Sequence, residues 1–356
     1  MNKKILMLAP AFYGIDESIQ QALESLGYDV ILHNSRDRLN LVENISLRAI
    51  KKIPLTKNIL NQNLKFFLKQ DNKEYVSLTR KIRPDMLFII KGETVFPETL
   101  KTIREEMKIP LVAYIWDCPF YSYAGRYADD YRRTNFAKSM ALYDHIFVYD
   151  PYYVEEIKKC GITNVNYLPL ATDTSKYKKI DPTPCEADEY GYDVCFVGRP
   201  FANRVEVLDS LGEFKLGVFG EGWARYYGRA RPPSYYKGKA VGEKVLKIYA
   251  ASKIVLNIHD PEATRGVNTR TFDIAACGAF ELVDYKSELE TLFDIGKEIV
   301  YYKDIAGLRK IIRFYIDRPN ERKAIAERGL SKVLACHTWR HRMSEMMRVV
   351  KNKGLL

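Results

Sequence analysis

KKILMLAPAFYGIDESIQQALESLGYDVILHN, residues 3–34, sets the fold class. KKILMLAP (3–10) reads as a short apolar strand running into a loop with Gly14. Ile15, Ile19, Ala22, Leu23 and Leu26 then share one helical face, and Gly27 closes that helix. YDVILHN (28–34) is a second strand. Strand, helix and strand within about 30 residues make the βαβ unit of a parallel sheet.

Beyond it lies a basic stretch, 48–83, with ten Lys or Arg against Asp71 and Glu74, read as two or three helices. The alternation then resumes. DMLFIIKG (85–92), LVAYIWD (111–117), DHIFVYD (144–150) and VNYLPL (165–170) are strands, separated by helical patterns over 95–107, 126–140 and 151–161. ATDTSKYKKIDPTPCEADEYG (171–191) is polar with two prolines, which suits a surface connection at a domain boundary. After it the pattern restarts. YDVCFVG (192–198), FKLGVFG (214–220), KIVLNIH (253–259), AFELVD (279–284) and EIVYY (298–302) are strands, with helices over 203–212, 242–252, 269–277, 304–316, 319–334 and from Thr338 to about 351.

Two successive runs of this kind predict an α/β protein with two Rossmann-like domains facing across a cleft. The expected division is 1–172, a linker 173–191, a second domain 192–337 and a C-terminal helix 338–356. The length of 356 residues agrees, since single cores rarely grow beyond about 250–300 residues. A hydrophobic content of 47% excludes disorder as the main state. The six cysteines stand singly, without zinc-knuckle or CxxC spacing. The apolar part of MNKKILMLAP is too short for a signal peptide and no cleavage pattern follows, so a cytoplasmic protein is expected. Net charge is +11, and the excess in 48–83 offers an anionic substrate, an anionic membrane at its inner face or nucleic acid a matching surface.

In open α/β sheets, ligands sit beyond the carboxyl ends of the strands. NIHDPEATRGVNTRTFDIAACG (257–278) is the densest such loop, with His259, Asp260, Glu262 and Arg265 before a helix that opens near Asn268 and Thr269. Free N–H groups at a helix start favour an anion, and Arg270 can grip phosphate oxygens in a fork. Asp273, one turn later, suits sugar hydroxyls. GRPFANR (198–204) adds Gly198 for a tight turn, with Arg199 and Arg204 near a helix start that Asn203 is expected to cap. In GVFGEGWARYYGRARPPSYYKG (217–238), Gly220, Gly222 and Trp223 are read as a wall for a flat base. The same mix of basic and aromatic residues suits single-stranded nucleic acid. In the first half, Gly14 lets a ligand approach the backbone, and Asp117 or Glu93 at a strand end is a candidate general base. No metal site is expected, because the histidines are scattered and 259–262 lacks ligand spacing. GxGxxG, GxSxG, HExxH and GxxxxGK[ST] are all absent.

At NTRTFDIAACGAFELVD (268–284) the chain resembles the spore-maturation type of glycosyltransferase-like proteins, within the glycosyltransferases of the two-Rossmann-domain GT-B type. DVCFVG (193–198), FGEGW (219–223), IYAASKIVLNIH (248–259), GKEIVYY (296–302) and HTWRHRM (337–343) also match, and 147–173 does so more loosely. The resemblance implies a nucleoside-diphosphate sugar as donor, held mainly by the second domain without a cofactor, and a saccharide or related acceptor held by the first. It implies that Asp273 holds the donor ribose and that Arg204 and Arg270 face the diphosphate. It also implies that the C-terminal helix packs back on the first domain. Retaining members often carry an acid eight residues before the ribose-binding one, whereas Arg265 stands here. A nucleotide-sugar epimerase, a silent nucleotide- or sugar-binding protein and, less favoured, a nucleic-acid-binding protein are the alternatives.

Overall fold

The computed structural model describes residues 2–11, 13–34, 56–120, 131–228 and 231–356. The chain divides into two compact units, one of 1–169 with 339–356 and the other of 170–338.

In the first unit, β1 (Lys4–Ala9), β2 (Asp29–Asn34), β3 (Met86–Ile90), β4 (Leu111–Ile115), β5 (His145–Val148) and β6 (Val165–Tyr167) form one sheet in the order β2-β1-β3-β4-β5-β6. Every pairing is parallel. The central strands are apolar without alternation, and MLFII and LVAYI are buried at every position. Strands covered on both faces require this pattern.

The second unit has β7 (Val194–Val197), β8 (Leu216–Phe219), β9 (Ile254–Asn257), β10 (Glu281–Asp284) and β11 (Val300–Tyr302), all parallel, in the order β11-β10-β9-β7-β8. Successive side chains leave a strand on opposite faces. Val194, Phe196, Ile254, Leu256 and Leu282 therefore point to a core completed by Leu308, Ile312 and Ile325. Cys195 and Val255 point to the other, with Ile248, Ile274 and Cys277. Both sheets reverse their direction of growth once, between β1 and β3 and between β7 and β9. Such switch points open a crevice beyond the carboxyl ends of the strands.

Three segments differ from the sequence reading. The described part of the basic stretch is one helix, Thr56–Ile82, rather than two or three; no Gly or Pro interrupts it before Pro84. Residues 48–55, and 126–130 of the stretch expected as helix 126–140, lie outside the described residues. The segment 171–191, expected as a polar linker, carries a helix, Pro184–Tyr190, closed by a Thr183–Glu186 capping box. Its Tyr177 and Ile180 pack on the second unit's core.

The final helix, Trp339–Asn352, belongs to the first unit. Trp339 lies 6.0 Å from the Trp116 ring, and Arg342 Nε donates to the Pro169 carbonyl at 3.0 Å. Among the described residues no helix is long and apolar enough to cross a membrane.

Candidate functional site

The Thr269–Ala276 helix follows β9 and is capped by Asn268, whose Oδ1 accepts from the Thr271 N–H at 3.2 Å. The loop after β7 lies across the switch point. Arg270 stands between them, half-buried. Its Nη1 donates to Asn257 Oδ1 at 3.1 Å, and its guanidinium carbon lies 5.6 Å from the Phe196 ring centroid. A Cβ on Gly198 would fall 3.3 Å from Arg270 Nη2 and 2.8 Å from Phe196 Cζ, so only glycine leaves the guanidinium its place.

Arg204 approaches the same ring at 5.7 Å and the Phe201 ring at 4.7 Å. It is buried, donating from Nε to the Ile258 carbonyl at 2.9 Å and from Nη1 to the Arg199 carbonyl at 3.1 Å. Burial and then the positive charge of Arg270 lower its pKa to about 9, so the Arg204 guanidinium stays charged at neutral pH. Among the described residues no carboxylate lies within ion-pair distance of either. Arg199 is exposed. Asn203 does not cap its helix; it lies one residue inside Ala202–Asp209, and its Nδ2 donates to the His259 carbonyl at 3.0 Å.

His259 is buried at the end of β9. Its Nδ1 meets Asp284 Oδ1 at 2.7 Å, and its backbone N–H donates to the same oxygen at 2.8 Å. Burial acts to raise the Asp284 pKa, but His259 and Lys286 outweigh it and hold the carboxyl below its ordinary value. Among the described residues, His259 Nε2 is buried without a hydrogen-bond partner.

Trp223 is not a wall for a base. It is fully buried between the Tyr227 and Tyr236 rings, and its indole N–H donates to the Gly198 carbonyl at 2.9 Å. The apolar surface of the rings draws this aromatic loop inward. Gly220, at φ +138°, lies so close that a Cβ there would fall 2.1 Å from the Gly198 oxygen. Its role is contact between two loop backbones.

Asp273 is buried one turn into the helix, and its Oδ1 accepts from the Thr172 hydroxyl at 2.6 Å. Burial pushes its pKa up to about 8, against the Thr172 hydrogen bond and Arg270, which lower it. Between its ordinary 3.8 and about 8 the folded state keeps a proton that the unfolded chain releases, so this group's contribution makes stability fall as pH rises through that window. Asp273→Asn should remove that loss. Melting curves should show a stabilisation that is small near pH 4.5 and largest above pH 8. An equal shift at both ends would mean that the carboxyl is not protonated in the fold.

Gly14 and Asp117 belong to the first unit. Gly14, at φ +71°, starts the Ile15–Ser25 helix. Together with Tyr13, Asp16 and Asn34 it lines a polar cavity of about 490 Å³. Asp117 Oδ2 pairs with Lys91 Nζ at 2.6 Å, beyond β3 and β4. Among the described residues no group of three or more His, Cys, Asp and Glu side chains is arranged for a metal ion.

The sequence reading missed Asn257, Glu281 and Asp284, which join the site through side-chain contacts. The signal available was that each is a polar residue at the start or end of an otherwise apolar strand.

Two parallel sheets, each flanked by helices and each with one switch point, are the two-Rossmann-domain GT-B architecture. Residues 199–348 match the family described as "Glycosyl transferase-like". The chain is 23% identical over 292 residues to spore protein CgeB of Bacillus subtilis (strain 168), spanning 76% of this chain and 84% of that protein. Among solved structures, sucrose-phosphate synthase (tll1590) from Thermosynechococcus elongatus superposes with TM-score 0.66 at 13% identity, covering 99% of each chain. Anabaena Alr3699/HepE, solved with UDP and glucose, gives TM-score 0.67 at 12% identity, covering 99% of this chain and 100% of its own.

Proposed function

We propose that this protein is a glycosyltransferase of the spore-maturation type, moving a sugar from a nucleoside-diphosphate donor to a hydroxyl of a saccharide or related acceptor. The observation that carries the reading is the pair of guanidiniums, Arg204 and Arg270, sharing the Phe196 ring at the β7/β9 switch point with no carboxylate in ion-pair reach among the described residues. Like charges held together favour an anion, and the positive end of the Thr269–Ala276 helix dipole adds the same preference. A diphosphate fits both. Transfer breaks the bond between the anomeric carbon and the β-phosphate oxygen, leaving negative charge where Arg270 acts. Alr3699/HepE, of similar fold, has been solved with UDP-glucose and with UDP, which supports a nucleotide-sugar donor here. In this reading Asp273 takes the ribose by exchanging its Thr172 contact for a sugar hydroxyl, and Asp117 serves the acceptor.

Thermal-shift titration with UDP, GDP, ADP and dTDP and their glucose conjugates tests the donor, because a ligand bound only by the folded state raises its stability. Donor consumption is then followed with and without acceptor saccharides. Consumption only with an acceptor supports a transferase. Conversion of the free donor alone would indicate an epimerase. Arg265, standing where retaining relatives have an acid, favours a second reading, a protein that binds nucleotide without turnover. Stabilisation by nucleotide with no consumption of any donor would select it.

A further inference from the structure

Beneath Arg270 lies a buried polar network that the phosphate contact does not itself require. Asn257 is completely buried at the end of β9. Its Oδ1 accepts from Arg270 Nη1 and Asn268 Nδ2, both at 3.1 Å. Its Nδ2 donates to Glu281 Oε1 at 2.8 Å and faces Asn268 Oδ1 and Thr271 Oγ1, both at 3.1 Å. Glu281 is itself buried at the start of β10, with Oε2 lacking a hydrogen-bond partner among the described residues. Buried polar groups are costly to retain unless they are hydrogen-bonded, and Asn257 satisfies both ends of its amide here.

The arrangement keeps an acid near Arg270 yet out of ion-pair reach. The carboxyl of Glu281 meets the amide, and the amide meets the guanidinium. Burial raises the Glu281 pKa well above its ordinary value, against the Asn257 hydrogen bond and the charge of Arg270, which lower it. Arg270 thus donates a hydrogen bond to a neutral oxygen, which orients it without a charge that cancels its own. An aspartate of the same shape at 257 would pair with the guanidinium in a low-dielectric site and remove the positive charge an anion needs.

We infer that Asn257 is a positioning residue for the proposed diphosphate site, a neutral spacer between Glu281 and Arg270 that aims the guanidinium while leaving its charge uncompensated. This rests on the proposed function, in which Arg270 meets the donor diphosphate. The other titratable groups that sense Arg270 are Arg204, Asp273, Tyr177 and Tyr249. Asp284 acts on Glu281 from the far end of β10.

A double-mutant cycle tests it. Calorimetric titration with UDP, GDP, ADP and dTDP at pH 7.5 compares the wild type, Asn257→Asp, Arg270→Ala and the double variant. Melting curves report whether each is folded. Asn257→Asp should weaken diphosphate binding about tenfold or more, the scale of one hydrogen bond to a charged group. In the Arg270→Ala background the same change should add less than about threefold, because the two residues act as one unit. Should Asn257→Asp fail to fold, Asn257→Ser takes its place in the cycle, with the same coupling expected. Full additivity with Arg270→Ala, or wild-type binding by Asn257→Asp, overturns the inference and leaves the diphosphate site standing. Failure of all four diphosphates to bind, or unaltered binding by Arg270→Ala, overturns the proposed site and the inference with it.

Discussion

Arg270→Ala is expected to cut turnover by about a hundredfold to a thousandfold while the melting curve stays close to wild type, the range for loss of one preorganised contact to a developing oxyanion. The fold should survive because Arg270 is half-buried and, among the described residues, no carboxylate lies within ion-pair distance of it. Its contacts are one hydrogen bond to Asn257 and the face of Phe196. The chemistry should not survive. The leaving diphosphate gains charge as the glycosidic bond breaks, and Arg204 alone is a poor substitute. Its Nε and Nη1 are already committed to the Ile258 and Arg199 carbonyls. Arg270→Lys separates charge from geometry. An ammonium restores a point charge without the planar fork, so activity between alanine and wild type is expected. The measurement is initial-rate kinetics with the donor identified by thermal shift. Turnover within a few-fold of wild type for Arg270→Ala would remove this residue from the phosphate site.

The parallel sheets were legible because strands buried on both faces leave unbroken apolar runs, as in MLFII and IVLN, and the intervening helices carry caps and breakers. Position along the chain was enough to gather Gly198, His259, Asn268 and Arg270, since each follows a strand of one sheet. What each side chain does was not legible. Arg204 reads as a positive charge near a helix start, yet its donors go to the carbonyls of Arg199 and Ile258, the latter brought close only when β7 and β9 lie side by side. His259 and Asp284 meet across β9 and β10 although 25 positions separate them. Glu281, an acid in ELVD, has no pattern to mark it as buried, because its partner Asn257 lies on the neighbouring strand. The aromatic loop misled for a related reason. Composition shows that rings are present but not whether they face solvent, and Trp223, Tyr235 and Tyr236 turn toward the core.

Trp223→Ala should therefore act on stability before it acts on any ligand. Truncating a buried Trp or Phe to alanine costs about 3–5 kcal/mol through lost apolar burial and the cavity left behind. Trp223 has no exposed surface and sits among Phe196, Tyr227, Tyr235 and Tyr236 at ring distances of 6.0–6.5 Å. At about 2–4 °C per kcal/mol for a unit of this size, the ligand-free melting transition of residues 170–338 should fall by roughly 6–20 °C. Trp223→Phe keeps most of the ring but leaves the Gly198 carbonyl without its indole donor. It should lower stability by about 1 kcal/mol plus a modest packing loss. The Gly198 carbonyl also lies against Gly220, so this hydrogen bond ties the aromatic loop to the loop that borders Arg270. Nucleotide binding should weaken in Trp223→Phe only as far as those loops loosen. Calorimetry of the whole chain without and with nucleoside diphosphate separates the two roles. A ligand-free transition unchanged by Trp223→Ala, together with a lost ligand shift, would return the indole to the binding surface and contradict its place in the core.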